Sequence, residues 1–155
     1  MKKLIIFLLL FTILFISSSQ SYEQQTIVPL LEKYLPTRPL EGLLSLFKIP
    51  YWGITVSVEE RGYYYFLEFL IRKAAHVVIF AAIAVAVLKL LPKPKIWLAF
   101  GIAVGIAILD EYRQSLTGGR TGLAADVVLD SFGAALGLGI WWLWKRNKAN
   151  RISDE

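Results

Sequence analysis

The sequence predicts an all-α membrane protein: a bundle of four transmembrane helices with an amphipathic external segment after the first helix. Three observations carry this expectation. Hydrophobic residues make up 56% of the 155 and the mean hydropathy is +0.55, too apolar for a soluble chain of one domain's size. Apolar stretches long enough for a bilayer recur between short polar or proline-containing breaks. Basic residues collect at alternate ends of those stretches, whereas the region between the first and second stretch has almost no charge bias. With no cysteine, a disulfide framework, a thiolate nucleophile and a Cys metal site are excluded. The net charge of +5 does not point to nucleic acid, because the basic residues sit beside apolar spans rather than on one polar face.

Residues 1–155 read as a single membrane domain. Its first helix is expected at residues 3–19. Met1-Lys2-Lys3, the run Leu4 to Ile16 and the exit Ser17-Ser18-Ser19-Gln20-Ser21 fit both a secretory signal peptide and an uncleaved first helix. Residues 20–64 form the external segment. Within it Ile27, Leu30, Leu31, Tyr34 and Leu35, then Leu40, Leu43, Leu44 and Phe47, recur at helical spacing on either side of Pro36 and Pro39. That predicts two short amphipathic helices, either a lid on the bundle or a surface that meets a lipid or cell-wall ligand. Ile54, Val56 and Val58 alternate with Thr55 and Ser57, a weak strand signal over so few residues.

Ser57-x-x-Glu60 has the form of a capping box opening a long helix, with the second span at residues 66–91 and Tyr63, Tyr64 and Tyr65 at its interface. A basic turn, Pro92-Lys93-Pro94-Lys95, leads into the third span at residues 95–116, which Gly118-Gly119 stops. The fourth span covers residues 122–144 and ends in Trp141, Trp142 and Trp144, ahead of a basic cytoplasmic tail at 145–155. Lys2, Lys3, Lys89, Lys93, Lys95, Lys145, Arg146, Lys148 and Arg151 then mark one side, which the positive-inside rule makes the cytoplasm. The expected location is a membrane, crossed several times, with both termini cytoplasmic and the lipid bilayer as partner.

Charges inside apolar spans are costly and are usually paired or functional, which singles out three patches. Glu68, Arg72 and His76 share one helix face at i, i+4 and i+8, with Lys73 beside them. Asp110, Glu111 and Gln114 end the third span, and Asp126 and Asp130 open the fourth. At 1.5 Å per residue His76 lies about 12 Å below Glu68, and Asp130 about 12 Å below Gly122, so the patches reach similar depth. Asp126 and Asp130 share a face with Gly133 and Gly137, which let a neighbouring backbone come close. The expectation is an outward-open polar pocket lined by these nine side chains, with Arg120 at its rim.

Three readings of the pocket are open. It is an ion-pair network that only fixes the bundle, a binding or catalytic site for a polar headgroup at the outer leaflet, or a small ion or proton pathway. A metal on His76 with Asp110, Glu111, Asp126 or Asp130 is chemically possible. No ligand spacing is diagnostic and the nearby Arg and Lys oppose a cation, so neither metal nor cofactor is expected. Gly101-x-x-x-Gly105 and Gly133-x-x-x-Gly137 read as packing positions within the bundle.

At Arg72-Lys73-Ala74-Ala75-His76, Asp110-Glu111-x-x-Gln114, Gly119-Arg120 and Asp126-x-x-x-Asp130-x-x-Gly133, the chain resembles the VanZ-like family of bacterial membrane proteins. Ser18-Ser19-Gln20 followed by Tyr22-Glu23-Gln24-Gln25 is similar to that family's first-helix exit, so the resemblance covers nearly the whole chain and implies a retained first helix. Two positions depart from the pattern: Phe80 replaces an expected tyrosine four residues after the histidine, and Asp130 replaces a frequent asparagine. The resemblance implies lowered susceptibility to teicoplanin-type lipoglycopeptide antibiotics. Whether a reaction is catalysed stays open, between an envelope protein that alters antibiotic access by binding a headgroup, cell-wall ligand or glycopeptide and an enzyme that modifies a lipid or cell-wall precursor headgroup.

Overall fold

A computed structural model of the chain describes residues 1–51, 53–116 and 124–153. The expected Gly118-Gly119 stop and Arg120 lie outside the described residues. Four long helices, α1 (Lys2–Ser19), α6 (Tyr63–Leu90), α7 (Ile96–Ser115) and α8 (Ala124–Ser153), pack against one another, with α6 touching the other three. Between α1 and α6 the chain forms α2 (Tyr22–Gln25), α3 (Val28–Tyr34), α4 (Glu41–Leu44), an antiparallel hairpin β1 (Ile49–Tyr51) and β2 (Ile54–Val56), and α5 (Val58–Arg61).

Among the described residues three helices are long and apolar enough to cross a membrane: Lys2–Ser19, Tyr63–Leu90 and Ala124–Arg151. The outward faces are dominated by large apolar side chains. In α1 only Leu14 and Ser18 are buried, while Leu4, Ile5, Ile6, Leu8 and Leu9 are exposed, a surface that water would not tolerate and lipid would. The chain is therefore a mostly helical membrane protein. Helix α7 differs from the other three. Its uninterrupted apolar part, residues 96–109, is about 21 Å long, and Asp110, Glu111 and Arg113 follow in its last two turns.

Each break has a local cause. Leu91 is extended because it precedes Pro92, whose ring disfavours the helical region for the residue before it, so α6 stops at Leu90. The expected helix from Ser57 to Leu91 is cut in two. Ser57 accepts from the Glu60 N–H at 3.1 Å and caps the single turn of α5, but Gly62 at φ 80° then turns the chain before α6 begins at Tyr63. A complete capping box, absent from the sequence expectations, lies earlier: Ser21 and Gln24 bond each other's backbone N–H and open α2 as the chain reverses after α1.

Of the two short helices that the periodicity of the external segment predicts, the first forms as α3 and the second shrinks to the single turn of α4. Arg38 at φ 49° and Leu40 at φ 62° adopt left-handed conformations between Pro36 and the single turn of α4, so no extended amphipathic helix forms there. The segment is pinned to the start of α6 instead. Buried Tyr63 donates to the Pro39 carbonyl at 2.8 Å and Tyr64 to the Leu35 carbonyl at 3.1 Å, so only Tyr65 is exposed as an interface anchor would be. At the other end of the chain α8 runs on to Ser153, past Trp144 where the fourth span was expected to end.

The core joins Phe80, Ile83, Ala84, Val87 and Leu88 of α6 to Ala99, Ala103 and Ala107 of α7 and Ala134 and Leu138 of α8. The tightest seam lies between α6 and α8. A Cβ on Gly133 would stand 2.6 Å from the Val77 carbonyl oxygen, and one on Gly137 2.5 Å from that of Ala81. Gly101 and Gly105 are not packing positions as the sequence suggested; nothing lies within 4 Å of the place a Cβ would take. The contact face of α7 is the alanine row Ala99, Ala103 and Ala107, and residues two further on are turned about 200° away. Gly137→Ala therefore should cost about 1 to 3 kcal/mol in a denaturant titration of the purified protein, because a backbone rather than a side chain must move. Gly101→Ala in the same titration should be neutral, or stabilising by up to about 1 kcal/mol through helix propensity.

Candidate functional site

The polar side chains gather at the end of the bundle that the external segment covers, and the structure places them in three groups. In the first, Glu68 of α6 is 1% exposed and fully used. Arg72, one turn on, donates to its Oε1 from Nε at 3.1 Å and from a terminal nitrogen at 2.8 Å. The Ile27 N–H donates to the same oxygen at 3.1 Å and the Thr26 hydroxyl to Oε2 at 3.2 Å. Arg72 also reaches Gln25 Oε1 at 2.6 Å. These bonds fasten the segment between α2 and α3 to α6.

The second group fastens α1 to α7. Asp110 accepts from the Ser18 hydroxyl at 2.8 Å, from Gln114 Nε2 at 2.8 Å and from Arg113 at 3.2 Å. Arg113 also donates to the Phe15 carbonyl at 3.0 Å and to the Ser19 hydroxyl, and its guanidinium lies 4.1 Å from the centre of the Phe15 ring. Arg113 and Ser18 were not among the sequence candidates. The i, i+3 spacing of Asp110 and Arg113 was the available signal for the first, whereas nothing local links Ser18 to a residue 92 positions away.

The third group joins α6 to α8. Lys73 is ion-paired with Asp126, and the Tyr51 hydroxyl from the tip of the hairpin donates to the same carboxylate. The Lys73 ammonium lies 4.6 Å from the Tyr51 ring centre and 5.4 Å from that of Phe69, so its charge is held between two aromatic faces and a carboxylate. One turn deeper His76 Nδ1 is 3.1 Å from Asp130 Oδ1, and the imidazole stacks on the fully buried Phe80 at 6.4 Å. The ring at position 80 is thus a platform for the histidine, where a tyrosine would have added a hydroxyl. Asp130 is 0% exposed, and its Oδ2 has no hydrogen-bond partner among the described residues.

Glu111 is 5% exposed, and its charge reaches Tyr51 together with those of Asp126 and Asp130. Burial, then the bond to Asp126, then these three carboxylates push the Tyr51 phenol above its ordinary range, so it remains a neutral donor. Tyr51 was missed in the sequence, where a tyrosine beside Ile49, Pro50 and Trp52 carries no signal of a carboxylate partner. The group is partly open: the side chains of Lys73 and His76 are 24% and 27% exposed. Among the described residues no three His, Asp or Glu side chains converge as metal ligands. Chemically the group offers an ammonium, an imidazole able to carry a proton, and a buried carboxylate oxygen with spare accepting capacity.

Fold and site together define a small helical membrane protein with ionisable side chains buried at one end of its bundle. The VanZ/LLP1 family model matches residues 3–145, and the chain belongs to that family. No curated protein and no solved structure matches it.

The first group is open to a direct test of its strength. Arg72→Ala leaves the Glu68 carboxylate buried beside two weaker donors and should lower unfolding stability by about 3 to 5 kcal/mol. Glu68→Gln in the same background should recover part of that loss, and a double-mutant cycle on the purified protein measures the coupling.

Proposed function

We propose that the protein is a four-span protein of the bacterial cell membrane that lowers susceptibility to teicoplanin-type lipoglycopeptides by binding a lipid or cell-wall headgroup at the outer leaflet. The group Lys73, His76, Asp126 and Asp130, with Glu111 beside it, is the binding site, and Tyr51 covers its mouth. The observation that carries this reading is the Asp130 carboxylate. One of its oxygens faces His76 and the other, fully buried, meets no donor among the described residues. A purely structural carboxylate in an apolar bundle is normally saturated, as Glu68 and Asp110 are here. A headgroup hydroxyl or amine would supply the missing donor, and Lys73 would meet its phosphate.

His76→Gln, Glu111→Gln and Asp126→Asn keep shape and remove charge or proton transfer. Each should abolish the resistance phenotype while the protein accumulates in the membrane at close to normal abundance. Intact resistance in all three at normal abundance would sink the headgroup reading. A specific observation favours one competitor, the purely structural network: Glu68 and Asp110 each already hold an arginine of this chain. On that reading phenotype would fall only in step with abundance. His76 on Asp130 is also the pairing an acid–base catalyst needs, and a new lipid or precursor species that disappears with His76→Gln would make the site enzymatic.

Four spans follow if α7 crosses as well, its charged end shielded by α1 and its apolar part packed on α6 and α8. The nine basic residues at the opposite end then place both termini and the turn around Lys93 in the cytoplasm. A single cysteine at Thr37 of this cysteine-free chain should react with an impermeant reagent in intact cells, and one at Lys93 should not. Labelling at Lys93 alone would invert the topology. Retention of α1 is supported by the burial of Leu14 and Ser18, since Asp110 would lose the Ser18 donor and Arg113 the Phe15 carbonyl if the helix left. The intact mass of the membrane-extracted protein should include residues before Ser19; their loss would make this segment a signal peptide.

A further inference from the structure

At the end of the bundle away from the polar groups, a groove runs between the start of α7 and the end of α8. Its deeper part, about 370 Å³, is apolar and is lined by Ile96, Phe100, Leu138 and Trp142 among others. Past Ile96 and Trp142, which line both parts, it opens into a further space of about 360 Å³ whose walls include Lys145 and Arg146. Lys145 is about 22 Å along α8 from Asp130, so this groove is separate from the proposed headgroup site.

We propose that the groove binds an anionic phospholipid of the leaflet at the basic end, with an acyl chain along Phe100 and Leu138 and the phosphate against Lys145 and Arg146. Charge complementarity selects this occupant. No acidic residue occurs between Glu68 and Asp110, or between Asp130 and Asp154, so the cations here have no carboxylate from the adjoining helices to neutralise them. Their contacts are aromatic faces instead: Lys145 lies 5.2 Å from the centre of the Trp141 ring and Arg146 5.5 Å from that of Trp142. A cation steadied on an indole at the mouth of an apolar groove is matched by a molecule with an anionic head and a hydrocarbon chain. A free phosphate would leave the groove unfilled, and a zwitterionic lipid would gain less from the two cations.

Native mass spectrometry of the purified full chain, with phosphatidylglycerol and phosphatidylcholine of identical acyl chains supplied in equal amounts, tests this. The wild type should retain phosphatidylglycerol preferentially. Lys145→Gln with Arg146→Gln, both at exposed positions, should weaken that preference by roughly 25-fold, at about fivefold per charge. Gly139→Phe should reduce retention of both lipids, because Gly139 lines the groove and a Cβ there meets nothing within 4 Å, so the ring fills the space without disturbing the bundle. Lys2→Gln with Lys3→Gln should leave the preference unchanged. Equal retention of the two lipids by the wild type overturns the proposal, as does an equal effect of the Lys2 and Lys3 pair. Unchanged retention in Gly139→Phe, or displacement of phosphatidylglycerol by an equal concentration of soluble glycerol phosphate, also overturns it.

Discussion

The close approach of α6 and α8 sets the geometry of everything else at the polar end. Gly133 sits against the backbone of Val77 and Gly137 against that of Ala81, and the ion pair of Lys73 with Asp126 and the hydrogen-bonding contact of His76 with Asp130 continue the same seam upward. Both helices run in the same direction along it, advancing one to four residues from one contact to the next. Backbone in contact with backbone permits no slip, because a shift of one turn would drive a Cβ-bearing residue into Val77 or Ala81. The polar pairs are therefore held in register by apolar packing below them rather than by their own attraction. This ordering suits a membrane, where an ion pair placed by weak electrostatics alone would leave charges stranded in hydrocarbon.

Carboxylates in this bundle do different jobs because their surroundings supply different numbers of donors. Glu68 takes a backbone N–H, a hydroxyl and an arginine, and Asp110 takes a hydroxyl, an amide and an arginine. Both are saturated, and each ties a piece of the first forty residues to the bundle. The Ser21–Gln24 capping box turns the chain back after α1, so that Gln25, Thr26 and Ile27 arrive beside Glu68 and Arg72. Asp126 is shared between Lys73 and Tyr51, which couples the hairpin to the α6–α8 seam. Asp130 keeps one oxygen without a hydrogen-bond partner among the described residues. Its neighbour His76 is the only histidine in the chain and the group best able to accommodate a second charge at that depth.

The two ends of the molecule are chemically opposite. One carries acids, a mixed set of cations and a folded cover; the other carries cations, indoles and a groove, with no acid along the adjoining helices. For a membrane protein this asymmetry is an orientation signal, and it gives the two faces different electrostatic character, a cationic rim at one and a mixed-charge group at the other.

The sequence by itself determined the class, the apolar segments and which charged side chains lie within or beside them, because composition, proline breaks and basic clusters act locally and survive without knowledge of the fold. Glu68, Arg72, Lys73, His76, Asp110, Glu111, Gln114, Asp126 and Asp130 were legible as conspicuous charges or polar groups in apolar surroundings. Their partners were not. Ser18, Gln25 and Thr26 are ordinary polar residues in polar stretches and Tyr51 is one aromatic among apolar neighbours, and only the return of the chain across α6 and α7 gives them a carboxylate or guanidinium to meet. The glycine pairs make the same point, for identical spacing packs against a backbone at Gly133 and Gly137 and faces open space at Gly101 and Gly105. Spacing records which residues share a helix face, whereas rotation of the helix within the bundle decides what that face meets. That rotation is set by the sum of apolar contacts over all four helices, which no single stretch of sequence contains.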